Sequence, residues 1–310
     1  ILDQFDAEII FFQKDFAETI EQLKSRLPKI KKWICIDGAV DGATTLDDYI
    51  MGQPNTPPKI EYNHDDIVAI TPTGGTTGTP KGVMNTHRSV QTFCAHFMMI
   101  VKYRGNEYPV NLAAAPMTHT AGVLTLPTTA RGGKVIVVTN PDPMLIFQLI
   151  RKQRVTEFFL PPTVIYRLLE ALPPVKMRIA KLLKKIDFTS VRYLLYGAAP
   201  MSVQKLKEAL KLFGPIMMGG YGQTEAPICI SGFTPEEHFK NGPGSDFADD
   251  TRLASVGRPM PLVKVEIQDE NNNSLPTGQT GEICVQGDLV MKGYYKDPDK
   301  TAGTVIKGWL

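Results

Sequence analysis

Thr73-Gly74-Gly75-Thr76-Thr77-Gly78-Thr79-Pro80-Lys81-Gly82 is the stretch on which the reading turns. Gly74, Gly75 and Gly78 let the backbone approach a ligand and turn its N–H groups inward. The hydroxyls of Thr73, Thr76 and Thr77 add donors, and Lys81 adds a full positive charge. A loop so equipped suits a polyphosphate. It is not a Walker loop, which needs Gly-Lys-Ser/Thr directly before a helix. Here Pro80 precedes the lysine and Gly82-Val83-Met84 continues as a strand.

Working outward from the loop, residues 67–70 read as the strand that enters it. Residues 89–103 read as a helix with Thr86 as its N-cap. Strands are then expected at 111–115, 134–138, 157–160, 191–196 and 216–219. Helices are expected at 143–154, 162–171 and 202–212. Before the loop, 7–12, 15–27 and 33–36 read as strand, helix, strand. Alternation of this kind predicts an α/β class: layered, mainly parallel sheets with helices. After Gly232 the pattern changes. Residues 234–253 read as a long polar loop, and strands at 263–269 and 282–286 flank the turn Asn271-Asn272-Asn273. Only strands and turns are expected from there to the end. The division this suggests is an α/β region over 1–254 and a small β subdomain over 255–310.

Gly219-Gly220-Tyr221-Gly222-Gln223-Thr224-Glu225 is the second informative string. Tyr221 offers a flat face on which a base can stack. Thr224 offers a hydroxyl to a phosphate, and Glu225 offers a hard oxygen ligand to Mg²⁺. Tyr196-Gly197-Ala198-Ala199-Pro200 follows a predicted strand and is small enough to leave room for a flat base. Ala115-Pro116-Met117-Thr118-His119-Thr120-Ala121-Gly122 sets one histidine in an apolar run.

Together, and in this order, these strings resemble the signatures of adenylate-forming enzymes: acyl-CoA synthetases, luciferases and peptide-synthetase adenylation domains. The Thr-Gly-Gly-Thr-Thr-Gly version of the loop is similar to that of bacterial fatty-acyl-CoA synthetases. Ser255-Val256-Gly257-Arg258-Pro259, Gly281-Glu282-Ile283-Cys284-Val285-Gln286-Gly287 and Lys292-Gly293-Tyr294-Tyr295 match further segments, read as structural. The resemblance covers the whole chain. It implies that residues 73–78 and Lys81 hold ATP phosphates. It implies that Gly197, Ala198 and Ala199 line the adenine, that Tyr221 stacks on it, and that Gly220, Gly222, Gln223 and Thr224 also bind the nucleotide, Thr224 at a phosphate. It also implies that Glu225 binds Mg²⁺ and that His119 gates the acid pocket, so that Lys81, His119, Thr224 and Glu225 are the catalytic set. The implied reaction joins a small-molecule carboxylic acid to AMP and passes the acyl group to CoA. No aspartate stands in Met117-Thr118-His119-Thr120 to hold an amino acid's ammonium. A fatty acid is therefore the first expectation and an aromatic acid the second, with a catalytically incompetent nucleotide-binding fragment as the other alternative. Relative to the family, a leading segment, a ribose-binding aspartate and a mobile C-terminal domain with its lysine are expected to lie outside these residues. The chain thus reads as the larger part of an N-terminal domain.

Composition is consistent with this and narrows it. Of 310 residues, 43% are hydrophobic and 21% charged, enough to bury a full core. The net charge is +2, which offers no global attraction to nucleic acid. Cys35, Cys94, Cys229 and Cys284 form no CxxC pair, so free thiols in a reducing cytoplasm are expected. The first residues carry no secretory signal pattern, and no apolar run is long enough to span a bilayer. The basic stretch 175–186, with Lys176, Arg178, Lys181, Lys184 and Lys185 among apolar residues, allows at most a peripheral membrane contact.

Overall fold

The computed structural model describes residues 1–73, 80–171 and 186–310. Gly74, Gly75, Thr76, Thr77 and Gly78 of the glycine–threonine loop, and all of the basic stretch but Ile186, lie outside the described residues.

Three strands open the chain, β1 (Ile9–Phe12), β2 (Lys32–Cys35) and β3 (Thr44–Thr45), paired in parallel in that order. The expected helix between β1 and β2 starts as a 3-10 turn, Lys14–Phe16, and continues as Ala17–Lys24. Next come β4 (Ile67–Thr73) and β5 (Lys81–Thr86), an antiparallel pair whose last partners are Thr73 and Lys81. Thr73 and Lys81, which flank the phosphate-type loop, are therefore held opposite each other. Thr86 ends β5 and caps the helix His87–Ile100 by accepting from the Ser89 N–H, while the Ser89 hydroxyl takes the Thr86 N–H. Such a reciprocal cap contributes about 1 kcal/mol.

The main sheet holds β6 (Val110–Ala113), β7 (Lys134–Val137), β8 (Glu157–Phe159), β9 (Tyr193–Gly197), β10 (Met217–Gln223), β11 (Ala226–Phe233) and β12 (Arg258–Pro259). Their spatial order is β12-β11-β10-β9-β8-β6-β7. Strands β10 through β7 run parallel, and β11 and β12 are antiparallel additions at one edge. Parallel strands are covered on both faces, hence the unbroken buried run Tyr193-Leu194-Leu195-Tyr196. Phe158 and Leu194 face a core with Ile146, Ile150, Ile165 and Leu206. Phe159, Tyr193 and Leu195 face a second core with Phe93, Phe97 and Leu124. Each such side chain contributes roughly 1.5–3 kcal/mol on burial. Glu157 is also fully buried on β8, and its carboxylate accepts from the hydroxyls of Tyr103 and Thr128.

Beyond the main sheet, β13 (Lys264–Gln268) and β14 (Glu282–Gln286) form an antiparallel pair. Finally β15 (Gly293–Tyr294) returns to pair with β5. A unit boundary at 254/255 remains a proposal: β13–β14 pair only with each other, whereas β12 and β15 pair with earlier strands.

Three expectations need correction. Residues 298–304 were expected to hold only turns, but Pro298–Thr304 is a helix, capped by Asp297 with proline in its first turn. The supposed loop 234–253 contains the 3-10 turn Glu236–His238 and the short helix Asp250–Leu253. Strand β11 was not expected at all. Pro227 and Gly232 interrupt its apolar run, and pairing with β10 outweighs that local signal.

Candidate active site

The second sequence motif folds as a hairpin. Gln223 of β10 pairs with Ala226 of β11, leaving Thr224 and Glu225 as the two turn residues. A bulge sits lower down, where Tyr221 opposes both Cys229 and Ser231. Next to it Ile228 has φ 56°, a left-handed conformation that is strained for a β-branched residue. The hairpin closes only because Gly222 has no side chain: a Cβ there would lie 2.2 Å from the Ile228 nitrogen. At the end of β9 the same holds for Gly197, whose Cβ would lie 2.3 Å from the Gly220 oxygen.

Two cavities flank this wall. The larger, of about 600 Å³, is lined by Thr73 and Lys81 from the β4–β5 hairpin and by His119 from the apolar run. Gln223, Thr224 and Glu225 line it from the β10–β11 turn. The smaller, of about 360 Å³, is lined by Ala199 and Tyr221 together with Met201, Leu206, Phe233 and Val256. Tyr196, Gly197, Ala198, Gly220 and Gly222 line both, so the two spaces share one thin wall. Segments far apart in sequence thus converge on one site, and every candidate residue within the described residues lines one of its two cavities.

Sequence reasoning missed one element of the charged end. Glu225 is only 8% exposed, and its Oε1 accepts a 2.7 Å hydrogen bond from the Tyr294 hydroxyl. The Lys81 ammonium lies over the Tyr294 ring, 4.9 Å from its centroid. Burial first, then the bond to Glu225 and its charge, push the Tyr294 phenol up to about 12, so it remains a donor. Tyr294 had been read as structural. Its only local signal was a Gly-Tyr-Tyr string, because its partners lie in other segments.

A second missed pair underlies the smaller cavity. The carbonyl of Thr234 can only accept, so the 2.8 Å contact fixes the His238 Nδ1 as a donor. Nε2 therefore accepts from the Tyr196 hydroxyl at 2.9 Å. Burial lowers the His238 pKa to about 4 and raises that of Tyr196. This locks a neutral imidazole under the Tyr196-Gly197-Ala198 turn. His119, by contrast, is exposed and lines the larger cavity from the N-cap position of the short helix Thr120–Val123, where its side chain makes no cap hydrogen bond.

The donors present fit a Mg²⁺ ion held largely by phosphate oxygens. Such an ion needs one or two carboxylates from the protein, and Glu225 supplies one facing the phosphate-sized cavity. No cluster of three or more His, Cys, Asp or Glu side chains able to enclose a metal occurs among the described residues. Nor is any helix among them long and apolar enough to cross a membrane.

Comparison with known proteins identifies the family and the fold. The family described as AMP-binding enzyme matches residues 1–295. Medium/long-chain-fatty-acid–CoA ligase FadD8 of Mycobacterium tuberculosis is 33% identical over 315 residues, covering 98% of this chain and 50% of that protein. 4-Coumarate–CoA ligase 2 of Solanum tuberosum is 31% identical over 320 residues, covering 98% of this chain and 54% of its own. The chain therefore spans about half the length of the curated relatives it matches. Among solved structures, the amide bond synthetase McbA of Marinactinospora thermotolerans superposes with a TM-score of 0.84 at 28% identity, over 100% of this chain and 57% of McbA. The N-terminal domain of FACL13 from Mycobacterium tuberculosis superposes at 0.80 with 22% identity, over 100% of this chain and 71% of that one, which speaks to fold alone. By sequence and by fold, the chain belongs to the AMP-binding enzyme family.

Proposed function

We propose that the protein to which these residues belong activates a carboxylic acid with ATP and Mg²⁺ and transfers the acyl group to CoA, with a fatty acid as substrate. The observation that carries this reading is the convergence of Lys81, Glu225, Thr224 and His119 on one cavity of about 600 Å³ that abuts a second one fit for a base. In the first step a carboxylate oxygen attacks the α-phosphorus of ATP and pyrophosphate leaves. Negative charge builds on the phosphate oxygens, so fixed donors and cations lower the barrier. Lys81 and the Thr224 hydroxyl act as those donors, and Tyr221 lies against the adenine. Glu225 holds the ion, which neutralises phosphate charge when bound. The acid enters past His119 towards the apolar wall of Val123, Phe159 and Leu195. In the second step the CoA thiol attacks the acyl carbonyl and AMP leaves.

An aromatic acid is the second reading. Directly behind Val123, Phe159 and Leu195 lies the closed core of Phe93, Phe97 and Leu124, and below Phe159 on the same strand sits the polar Glu157 cluster. An apolar wall that includes the Phe159 ring can take a planar acid, and several relatives are named 4-coumarate–CoA ligases. A cytoplasmic location goes with either reading.

The test is ATP–pyrophosphate exchange and thioester formation by the full-length protein with acetate, octanoate, palmitate, benzoate and 4-coumarate. Octanoate or palmitate as best substrate supports the first reading, and 4-coumarate or benzoate the second. No exchange with any carboxylate would sink both and leave a nucleotide-binding module. Within the same assay, His119→Ala should alter the order of acids more than the KM for ATP.

A further inference from the structure

The charged end of the site contains an arrangement that the reaction as written does not require. Lys81 and Glu225 both line the larger cavity, yet among the described residues neither belongs to an ion pair. Opposite charges facing one small cavity attract strongly when water is scarce. A direct Lys81–Glu225 pair would neutralise both groups and compete with the phosphate and with the cation. Tyr294 stands between them, donating its hydroxyl to Glu225 at 2.7 Å and presenting its ring face to the Lys81 ammonium at 4.9 Å.

The tyrosine is itself held on both sides by backbone. The Met291 N–H donates to the Glu225 carbonyl at 2.8 Å, tying the segment to the hairpin tip. Tyr294 pairs with Val83, and the Tyr295 N–H donates to the Gly82 carbonyl at 2.8 Å, tying it to the strand that begins at Lys81. The Tyr294 N–H donates to the Thr301 hydroxyl at 2.9 Å. Residues 291–295 therefore bridge the two segments that carry the opposite charges.

We propose that Tyr294 is a positioning residue that keeps Lys81 and Glu225 apart and separately aimed, its hydroxyl orienting the carboxylate and its ring seating the ammonium. This rests on the function proposed above. It differs from a packing role because the two contacts are chemically separable. Phenylalanine keeps the ring and loses the hydroxyl, whereas leucine loses both.

The experiment is ATP–pyrophosphate exchange by the full-length protein, with its best acid, across Mg²⁺ and ATP titrations, beside calorimetric titration of Mg²⁺ with ATP into the same proteins without acid. The variants are Tyr294→Phe, Tyr294→Leu, Glu225→Gln and the double variant Glu225→Gln/Tyr294→Phe. Tyr294→Phe is expected to raise the Mg²⁺ half-point about tenfold, as for one hydrogen bond to a charged group, and to leave the KM for ATP within about twofold. Tyr294→Leu is expected to raise both. In the Glu225→Gln background, adding Tyr294→Phe should change nothing further, because its effect runs through that carboxylate. An unchanged Mg²⁺ half-point in Tyr294→Phe overturns the proposal. So does a loss of equal size with and without the Glu225 carboxylate, or a loss confined to folded yield. If the unmodified protein exchanges no pyrophosphate with any carboxylate, the proposed function falls first and this role with it.

Discussion

The site has two sides built on different principles. On the β9–β10 side, glycines let backbone touch backbone, and the cavities are defined by shape. Its backbone contacts come from three neighbouring segments, 196–200, 219–225 and 226–228. On the β4–β5–β15 side, Lys81 and Tyr294 come from segments far apart in the sequence, and the cavity is defined by charge. The first side has almost no freedom to relax, because its contacts are main chain. The second can adjust, because its contacts are the ends of flexible side chains. Tolerance to substitution should therefore differ sharply between them.

The most damaging test is on the rigid side. Gly222→Val would force side-chain atoms into space held by the Ile228 and Ala226 backbone. Overpacking typically costs about 1–3 kcal/mol and more where rigid backbone cannot give way, so pyrophosphate exchange and the thermal transition should both fall sharply. A well-folded, active Gly222→Val protein would show that the hairpin is as adjustable as the charged side. On that charged side, Lys81→Ala should leave folding intact and slow adenylate formation by about ten- to a hundredfold, measured as exchange at saturating acid. Loss of fold there would erase the contrast.

A third test probes the packing behind the wall. His96 is fully buried, and neither ring nitrogen has a partner among the described residues. Burial lowers its pKa to about 4, from an ordinary value of 6.5. Between those values the unfolded chain binds a proton that the folded chain refuses, so stability is lost as pH falls from 6.5 towards 4. His238 adds to the same loss. His96→Leu should raise the melting temperature by a few degrees at pH 7, about 1–3 kcal/mol, and shrink the drop between pH 7 and pH 5. An unchanged pH 5 penalty in urea titrations would mean that His96 is hydrated.

The smallest effect belongs to the tie under the phosphate hairpin. Asp6 accepts from Tyr295 at 2.7 Å and pairs with Lys29 and Lys296, while Gln4 donates to the Pro80 carbonyl at 2.9 Å. These cations and the tyrosine hydroxyl hold the Asp6 carboxyl well below the usual range. Because the pairs are exposed, Asp6→Asn should raise the KM for ATP no more than about fivefold, and less at high salt. A larger, salt-independent effect would make the charged side as rigid as the other.

The same contrast explains what could be read from the sequence. Parallel strands such as β9 announced themselves as unbroken apolar runs, and the strands that flank the glycine–threonine loop were legible on either side of it. The candidate residues among the described residues line the two cavities. Strand β11 was hidden, because Pro227 and Gly232 are poor strand residues that the neighbouring strand organises. Tyr294 and His238 were hidden for a different reason. Their roles depend on partners in other segments, Glu225 with Lys81 for one and Tyr196 for the other. A Gly-Tyr-Tyr string says nothing of which carboxylate it will meet.

The two-residue turn at Thr224-Glu225 makes the site sensitive to chain length as well as to chemistry. Successive residues of a strand point to opposite faces. Inserting one residue between Gly222 and Glu225 would shift the register and turn the carboxylate away, even though every side chain had been kept. Length changes should therefore be absent from this hairpin in any working variant, natural or engineered. Variation that retunes acid preference should instead collect at Val123 and Phe159, where a side chain can grow or shrink without shifting its neighbours along the chain.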